Sequence, residues 1–328
     1  MQSRSQSHKV YALLFILFWV GVLGAVVLNQ QRILDWWKLR GYTPSAEIAR
    51  VVDVARFNEK GEHLFYVNKP DVLSGSSFTR ACPIDAEKTV VLGCYKGGDN
   101  GIFLYGVTDK RLDGVVEVTA AHEMLHAAYE RLSSRERAKV DALLNDYYAN
   151  GLQDERIRKT IDLYRSTEPK ELTNEMHSIF ATEVRDLPSE LEVYYEQYFS
   201  NRKAVVELTE TYQAEFTNRR AQVVVYDTQL AGLKQSTEAL QTQLTSEKRA
   251  LEAKQAEMQS LRDDGNSAAY NAMVPSYNAL VNTYNALVGK LRSQIASYND
   301  IVEKRNALAL EERQLTQALS AEQLPAVE

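Results

Sequence analysis

The first patterned stretch of the chain is Val10 to Leu28, an uncharged run rich in Leu, Val, Phe and Ala. At about 1.5 Å per residue a helix of that length reaches roughly 28 Å, close to the thickness of a bilayer core. Arg4 and Lys9 precede it; Arg32, Lys38 and Arg40 follow it, with Trp36 and Trp37 where an interfacial aromatic belt would lie. The run is long for the apolar part of a cleaved leader, and no small-x-small cleavage site follows it. Residues 1–41 are therefore expected to be a short tail and one uncleaved transmembrane helix. Basic residues on both flanks leave its orientation nearly balanced.

Residues 42–203 mix the two periodicities. Thr43-Pro44-Ser45 opens a helix whose apolar positions are Ile48, Val51, Val52 and Ala55. His63–Val67, Thr89–Tyr95 and Ile102–Val107 read as strands, the last two joined by Gly97-Gly98-Asp99-Asn100-Gly101, a hairpin signal. Helical spacing then takes over at Val115–Leu132, Ser134–Tyr148 and Glu171–Leu187, the last stopped by Pro188. A small antiparallel sheet followed by helices predicts an α+β domain.

Residues 204–328 carry a seven-residue repeat. Leu230, Thr237, Leu244, Leu251 and Met258 hold one seam position and Leu233, Leu240 and Leu261 the other. A second run repeats Tyr-Asn at 270, 277, 284 and 298, with Leu280, Leu287, Ile301, Leu308 and Leu315 alongside. Asp263-Asp264-Gly265-Asn266 is a turn signal between them. The pattern predicts a long antiparallel coiled-coil hairpin with its tip near Gly265. Such a hairpin is first a packing device, a spacer or a self-association seam; its tip or its tyrosine stripe could instead hold a protein partner.

Charge alters this picture only by exclusion. A net charge of −6 gives no concentrated basic face, so nucleic acid is not an expected partner. The two cysteines, Cys82 and Cys94, lack the CxxC spacing of a metal site. They read either as one disulfide or as two buried thiols. A disulfide would place the body of the protein outside the cytoplasm.

Histidine changes more. Of five histidines, two fall in the window His122-Glu123-Met124-Leu125-His126. On a helix this spacing turns both imidazoles to one side, where they can ligate one Zn²⁺. The glutamate between them then lies beside the ion and serves as a general base for a water molecule. A chance HExxH on a surface helix would be merely solvated. Here Thr119, Ala120, Ala121, Met124, Leu125, Ala127 and Ala128 make the surroundings uncharged, as a dry site requires.

Val118-Thr119-Ala120-Ala121-His122-Glu123-Met124-Leu125-His126 resembles the active-site helix of the zincin metallopeptidases. That resemblance implies a zincin-like peptidase domain in which an edge strand holds an extended peptide, with Ile102–Val107 as the candidate edge. Tyr129-Glu130-Arg131-Leu132 stands where the metzincin branch would carry a glycine and a third histidine. The glutamate-zincin branch takes its third ligand from a later helix, and Asn174-Glu175 resembles the pair that supplies it. Glu175 is the first choice by that resemblance, with Glu183 and His177 as rivals. Tyr129, Tyr164 and Arg185 are available to stabilise an oxyanion, and nothing in the sequence selects among them. The expectation is a single-pass, membrane-anchored zinc peptidase with Glu123 as base and His122, His126 and Glu175 as ligands. The alternative is a non-enzymatic envelope tether whose coiled coil does the binding and whose zincin fold is inactive.

Overall fold

The structure is a computed structural model that describes residues 3–83, 90–98 and 101–321. It is mostly helical, with one small mixed sheet and two long C-terminal helices. It divides into two compact units, residues 1–212 with 318–328, and residues 213–317.

The first unit opens with helices α1 (Ser3–Leu28) and α2 (Gln30–Leu39). Among the described residues no single helix is long and apolar enough to cross a membrane. Leu13–Leu28 and α2 meet that test together, bent by 61° at the break between them. Helix α3 (Ala46–Val54) starts where expected: the Ser45 side chain accepts from the Ile48 N–H.

His63–Val67 is not a strand. It lies mostly within helix α4 (Glu59–Tyr66), capped by Asn58, whose side chain accepts from the N–H groups of Lys60 and Gly61. The alternation of His63, Phe65 and Val67 misleads because His63 is exposed while Gly61, Leu64, Phe65, Val67 and Asn68 are buried, which is helical spacing. Gly61 is required there, since a Cβ would come within 2.3 Å of the Tyr198 carbonyl oxygen.

Strand β1 (Asp71–Leu73), helix α5 (Gly75–Ala81), and strands β2 (Gly93–Lys96) and β3 (Gly101–Tyr105) follow. The sheet order is β1-β3-β2, with β1 parallel and β2 antiparallel to β3. The sheet is therefore mixed rather than antiparallel. The stretch expected to be its edge forms the centre, and β1 and β2 are the edges. Of the expected strand Thr89–Tyr95 only the end is extended; Thr89 lies outside the described residues, as do Asp99 and Asn100 of the expected turn. Cys82 and Cys94 form a disulfide with their Cα atoms 5.9 Å apart, tying the end of α5 to β2.

Helix α6 (Val115–Glu130) is the centre of the unit. It is buried on nearly every side, packed against β2, β3, α3, α4 and α9 (Leu172–Glu183). Gly114 starts it in a left-handed conformation (φ 96°), where a Cβ would also meet Leu208 at 2.9 Å. Helix α7 (Ser134–Asp146) begins with a capping box between Ser133 and Glu136. Helix α8 (Glu155–Thr167) precedes α9, and α10 (Ser189–Tyr195) follows it. The helix expected over Glu171–Leu187 ends at Glu183, where Val184 turns to extended backbone, and Arg202 takes the carbonyls left free there. Its Nη1 donates to Ala181 O (3.0 Å) and Val184 O (2.7 Å).

The second unit consists of most of α11 (Arg202–Asp263) and α12 (Ser267–Ala318). They are joined by a turn in which Gly265 has φ 72°. Arg219 meets Glu311, Arg220 meets Glu312, Asp227 meets Arg305, and Ser236 meets Gln294. The partner numbers fall as the others rise, so the two helices run antiparallel. Leu240 and Met258, two of the predicted seam residues, are buried. Pro275 lies inside α12 without ending it.

Candidate metal centre

The helix carrying His122 and His126 is buried and packs against α9. Ala120, Ala121, Ala127 and Ala128 are all buried. On α9, Ser178 and Thr182 are buried and turn their hydroxyls back to carbonyls of their own helix, Asn174 O and Ser178 O. Glu117, in the first turn of α6, is also buried, and Arg50 of α3 holds it at 2.7 Å. The polar side chains of the two helices meet where His122 and His126 of α6 face Asn174 and Glu175 of α9.

There the Glu175 carboxylate bridges both imidazoles. Its Oε2 is 3.4 Å from His122 Nε2 and its Oε1 is 3.6 Å from His126 Nε2. One donor atom from each of the three residues lies within 4.8 Å of the others. A tetrahedral Zn²⁺ with bonds of about 2.1 Å needs donors about 3.4 Å apart. Both separations are close to that value, and the three residues form a group that could hold a metal ion. Of the three candidates Glu175, Glu183 and His177, it is Glu175 that lies against both histidines.

The rivals are engaged elsewhere. His177 is fully buried amid the rings of Tyr129, Tyr194, Tyr195 and Tyr198, and its Nε2 pairs with the Tyr194 hydroxyl at 3.0 Å. Burial lowers its pKa to about 3, so it is a neutral core residue. Glu183 lines the same cleft but accepts a 2.6 Å hydrogen bond from Arg156.

One further residue sets the geometry. Asn174 Oδ1 lies 2.9 Å from His126 Nδ1, while its Nδ2 donates to Glu171 at 3.3 Å. The second bond fixes which end of the amide faces the ring. His126 Nδ1 therefore carries the proton, and its Nε2 lone pair points toward Glu175. Asn174 was noticed in the sequence only as the neighbour of Glu175; no spacing rule identifies it as the partner of a histidine on another helix.

Glu123 is 7% exposed. Burial raises its carboxyl above the ordinary value of 4.5, against the opposing pull of His126 and His122 and a hydrogen bond from the Tyr95 backbone N–H. That N–H belongs to the edge strand, which approaches very closely. A Cβ on Gly93 would stand 2.5 Å from Thr119 Cγ2 and 3.0 Å from Glu123 Cγ. At His122, burial disfavours the charged ring, yet the hydrogen bond and charge of Glu175 outweigh it and hold the pKa near 9 in the metal-free protein.

These side chains open into a cleft of about 760 Å³ bounded by β2, the disulfide, α6, α8 and α9. Of the three groups that could stabilise an oxyanion, Tyr164 lines the cleft, and burial followed by the charges of Glu175 and Glu123 raises its pKa. Tyr129 also borders the cleft, but its hydroxyl donates to Asp141 at 2.7 Å. Arg185 is paired with Glu210. Comparison with protein-family models, curated proteins and solved structures finds no match for this chain.

Proposed function

We propose that the chain is a membrane-anchored zinc peptidase with a zincin-like catalytic domain. The observation that carries this reading is the convergence of His122, His126 and Glu175 at zinc-ligand spacing beside a buried glutamate that is not one of the three. A structural zinc site is normally closed by four protein ligands, whereas three ligands facing an open cleft leave a position for chemistry. A bound Zn²⁺ supplies a Lewis acid that polarises a carbonyl and makes a water molecule acidic.

The protein's own groups do the rest. Glu123 accepts a proton from the attacking water and passes it to the departing amine. The Tyr95 N–H keeps that carboxylate aimed. Asn174 holds His126 in the tautomer a ligand needs. Tyr164 is the phenol placed to donate to an oxyanion, and its raised pKa keeps it protonated for that purpose. The free edge of β2 offers backbone groups to an extended peptide.

Helix α1 would be the anchor, as its exposed apolar surface suggests, and the disulfide favours an extracytoplasmic body. The paired helices would form a coiled coil that helps place the enzyme or binds a partner. The Glu123→Gln chain tests the reading: it should bind one equivalent of zinc by mass spectrometry and lose hydrolysis of a quenched-fluorescence peptide library. Activity equal to the parent's would refute Glu123 as the base. A parent chain that takes up no stoichiometric zinc would favour the tether.

A further inference from the structure

Helix α2 is docked the wrong way round for a helix of a water-exposed domain. Such a helix normally buries its apolar stripe and presents polar residues to solvent. Here the polar side is turned inward. Asp35 is buried and accepts from both Nη atoms of Arg131, each at 2.9 Å, and pairs with His63 Nε2 at 3.0 Å. Gln31, one turn earlier, also donates to it, and Lys38 donates to Gly98 O at 2.8 Å.

The opposite side carries Ile33, Leu34, Trp36 and Trp37. At 100° per residue they occupy one continuous face, with Arg40 at its end. All four are exposed, the two tryptophans by 59% and 61%. The Arg40 guanidinium lies 5.5 and 5.7 Å from their ring centres.

What covers that face is indicated by what precedes it. Helix α1 ends one residue upstream, its side chains from Leu13 to Val20 all exposed. The chain bends by 61° between the two helices. If α1 stands along a bilayer normal, α2 lies nearer the membrane plane, at the level where indole rings and arginines are favoured.

We propose that α2 is an interfacial docking helix: its Ile33–Leu34–Trp36–Trp37 face enters the headgroup–acyl boundary of a phospholipid bilayer while Asp35 on the other face clamps the end of the metal-site helix. The proposal rests on the anchor part of the reading above and not on its zinc chemistry. Arg131 directly follows α6, five residues beyond His126. With a helix about 10 Å wide and a rise of about 1.5 Å per residue, the metal site is held within about 25 Å of the lipid headgroups.

The test uses the full chain carrying Trp19→Phe, which leaves Trp36 and Trp37 as the only tryptophans. It is reconstituted into phosphatidylcholine–phosphatidylglycerol vesicles containing lipids brominated either near the headgroup or near the acyl-chain centre. Flotation confirms association. The expected result is emission at shorter wavelength than in the denatured chain, quenched more by the shallow bromine than by the deep one. Flotation without quenching by either lipid would overturn the docking face and leave the anchor standing. Stronger quenching by the deep bromine would make α2 part of the span and overturn the proposal. Unquenched emission that shifts to shorter wavelength as protein concentration rises would assign the face to a second copy instead. A chain that does not float would remove the anchor and the proposal together. In the same vesicles, Asp35→Ala should leave the quenching unchanged and speed amide exchange at residues 127–131; unchanged exchange would refute the clamp.

Discussion

Replacing Gly93 by alanine puts one methyl group between strand β2 and Glu123, the base of the proposed function. The added Cβ would stand 2.5 Å from Thr119 Cγ2, 3.0 Å from Glu123 Cγ and 3.1 Å from Glu123 Oε1. Ordinary carbon contacts lie at about 3.5–4.0 Å, so β2 or the side chains must retreat by about 1 Å. Overpacking of that size costs about 1–3 kcal/mol. In a unit of this size it should lower the melting temperature by about 2–12 °C. The larger effect is on aim: a displacement of about 1 Å at a catalytic group can cost about 100-fold in rate. The nearest atoms to the new methyl group belong to Thr119 and Glu123 and not to His122, His126 or Glu175, so on the proposed function zinc affinity should change little. The assays are a thermal melt, a zinc competition titration and hydrolysis of a peptide library, each run on Gly93→Ala and on Gly93→Ala/Thr119→Ser. Serine removes the nearest methyl while keeping the hydroxyl that donates to Val115 O, so the double variant should recover part of the melt and part of the rate. Parental stability and rate in Gly93→Ala would refute the close approach, as would a double variant no better than the single.

The remaining predictions concern the ligands. Asn174→Ala should weaken zinc binding about 10–100-fold in a chelator titration, while Asn174→Asp, which keeps an acceptor facing His126 Nδ1, should stay near the parent; equal affinity in the alanine variant would refute its orienting role. Because the metal-free His122 pKa is raised from 6.5 to about 9, zinc must displace a proton over that interval. Proton binding stabilises the metal-free fold fully below 6.5, and that contribution is lost as pH rises through about 9. The increase in melting temperature caused by zinc should therefore grow with pH across this window, and one that is flat or falling would contradict the His122–Glu175 pairing.

Much of the site was legible in the sequence because its spacing is local. His122, Glu123 and His126 sit within five residues, and the alanines around them announce a helix that must be buried. Glu175 could only be ranked, since choosing it over Glu183 and His177 requires knowing which face of α9 meets α6. The tyrosines around His177 decide this, and Tyr194, Tyr195 and Tyr198 lie on another helix or beyond it. The sheet was misjudged for a similar reason. Strand β1 has three residues, too few to show a period, and its pairing with β3 is parallel and non-local. The helix α4 was hidden by a short alternation that its Asn58 cap overrules. The long repeats were readable because each heptad restates the same pattern, so a single unclear position cannot obscure them.

The antiparallel pairing of α11 and α12 also works as a ruler. Arg219 with Glu311, Asp227 with Arg305 and Ser236 with Gln294 have partner numbers that sum to 530 or 532. A heptad inserted into one helix alone would slide every partner between the insertion and one end of the hairpin. A heptad inserted opposite it in the other helix would restore them all and lengthen the hairpin by about 10.5 Å. Reach can therefore be altered in steps of matched heptads without redesigning any contact. A set of such variants would separate what the hairpin does by its length from what it does by its surface.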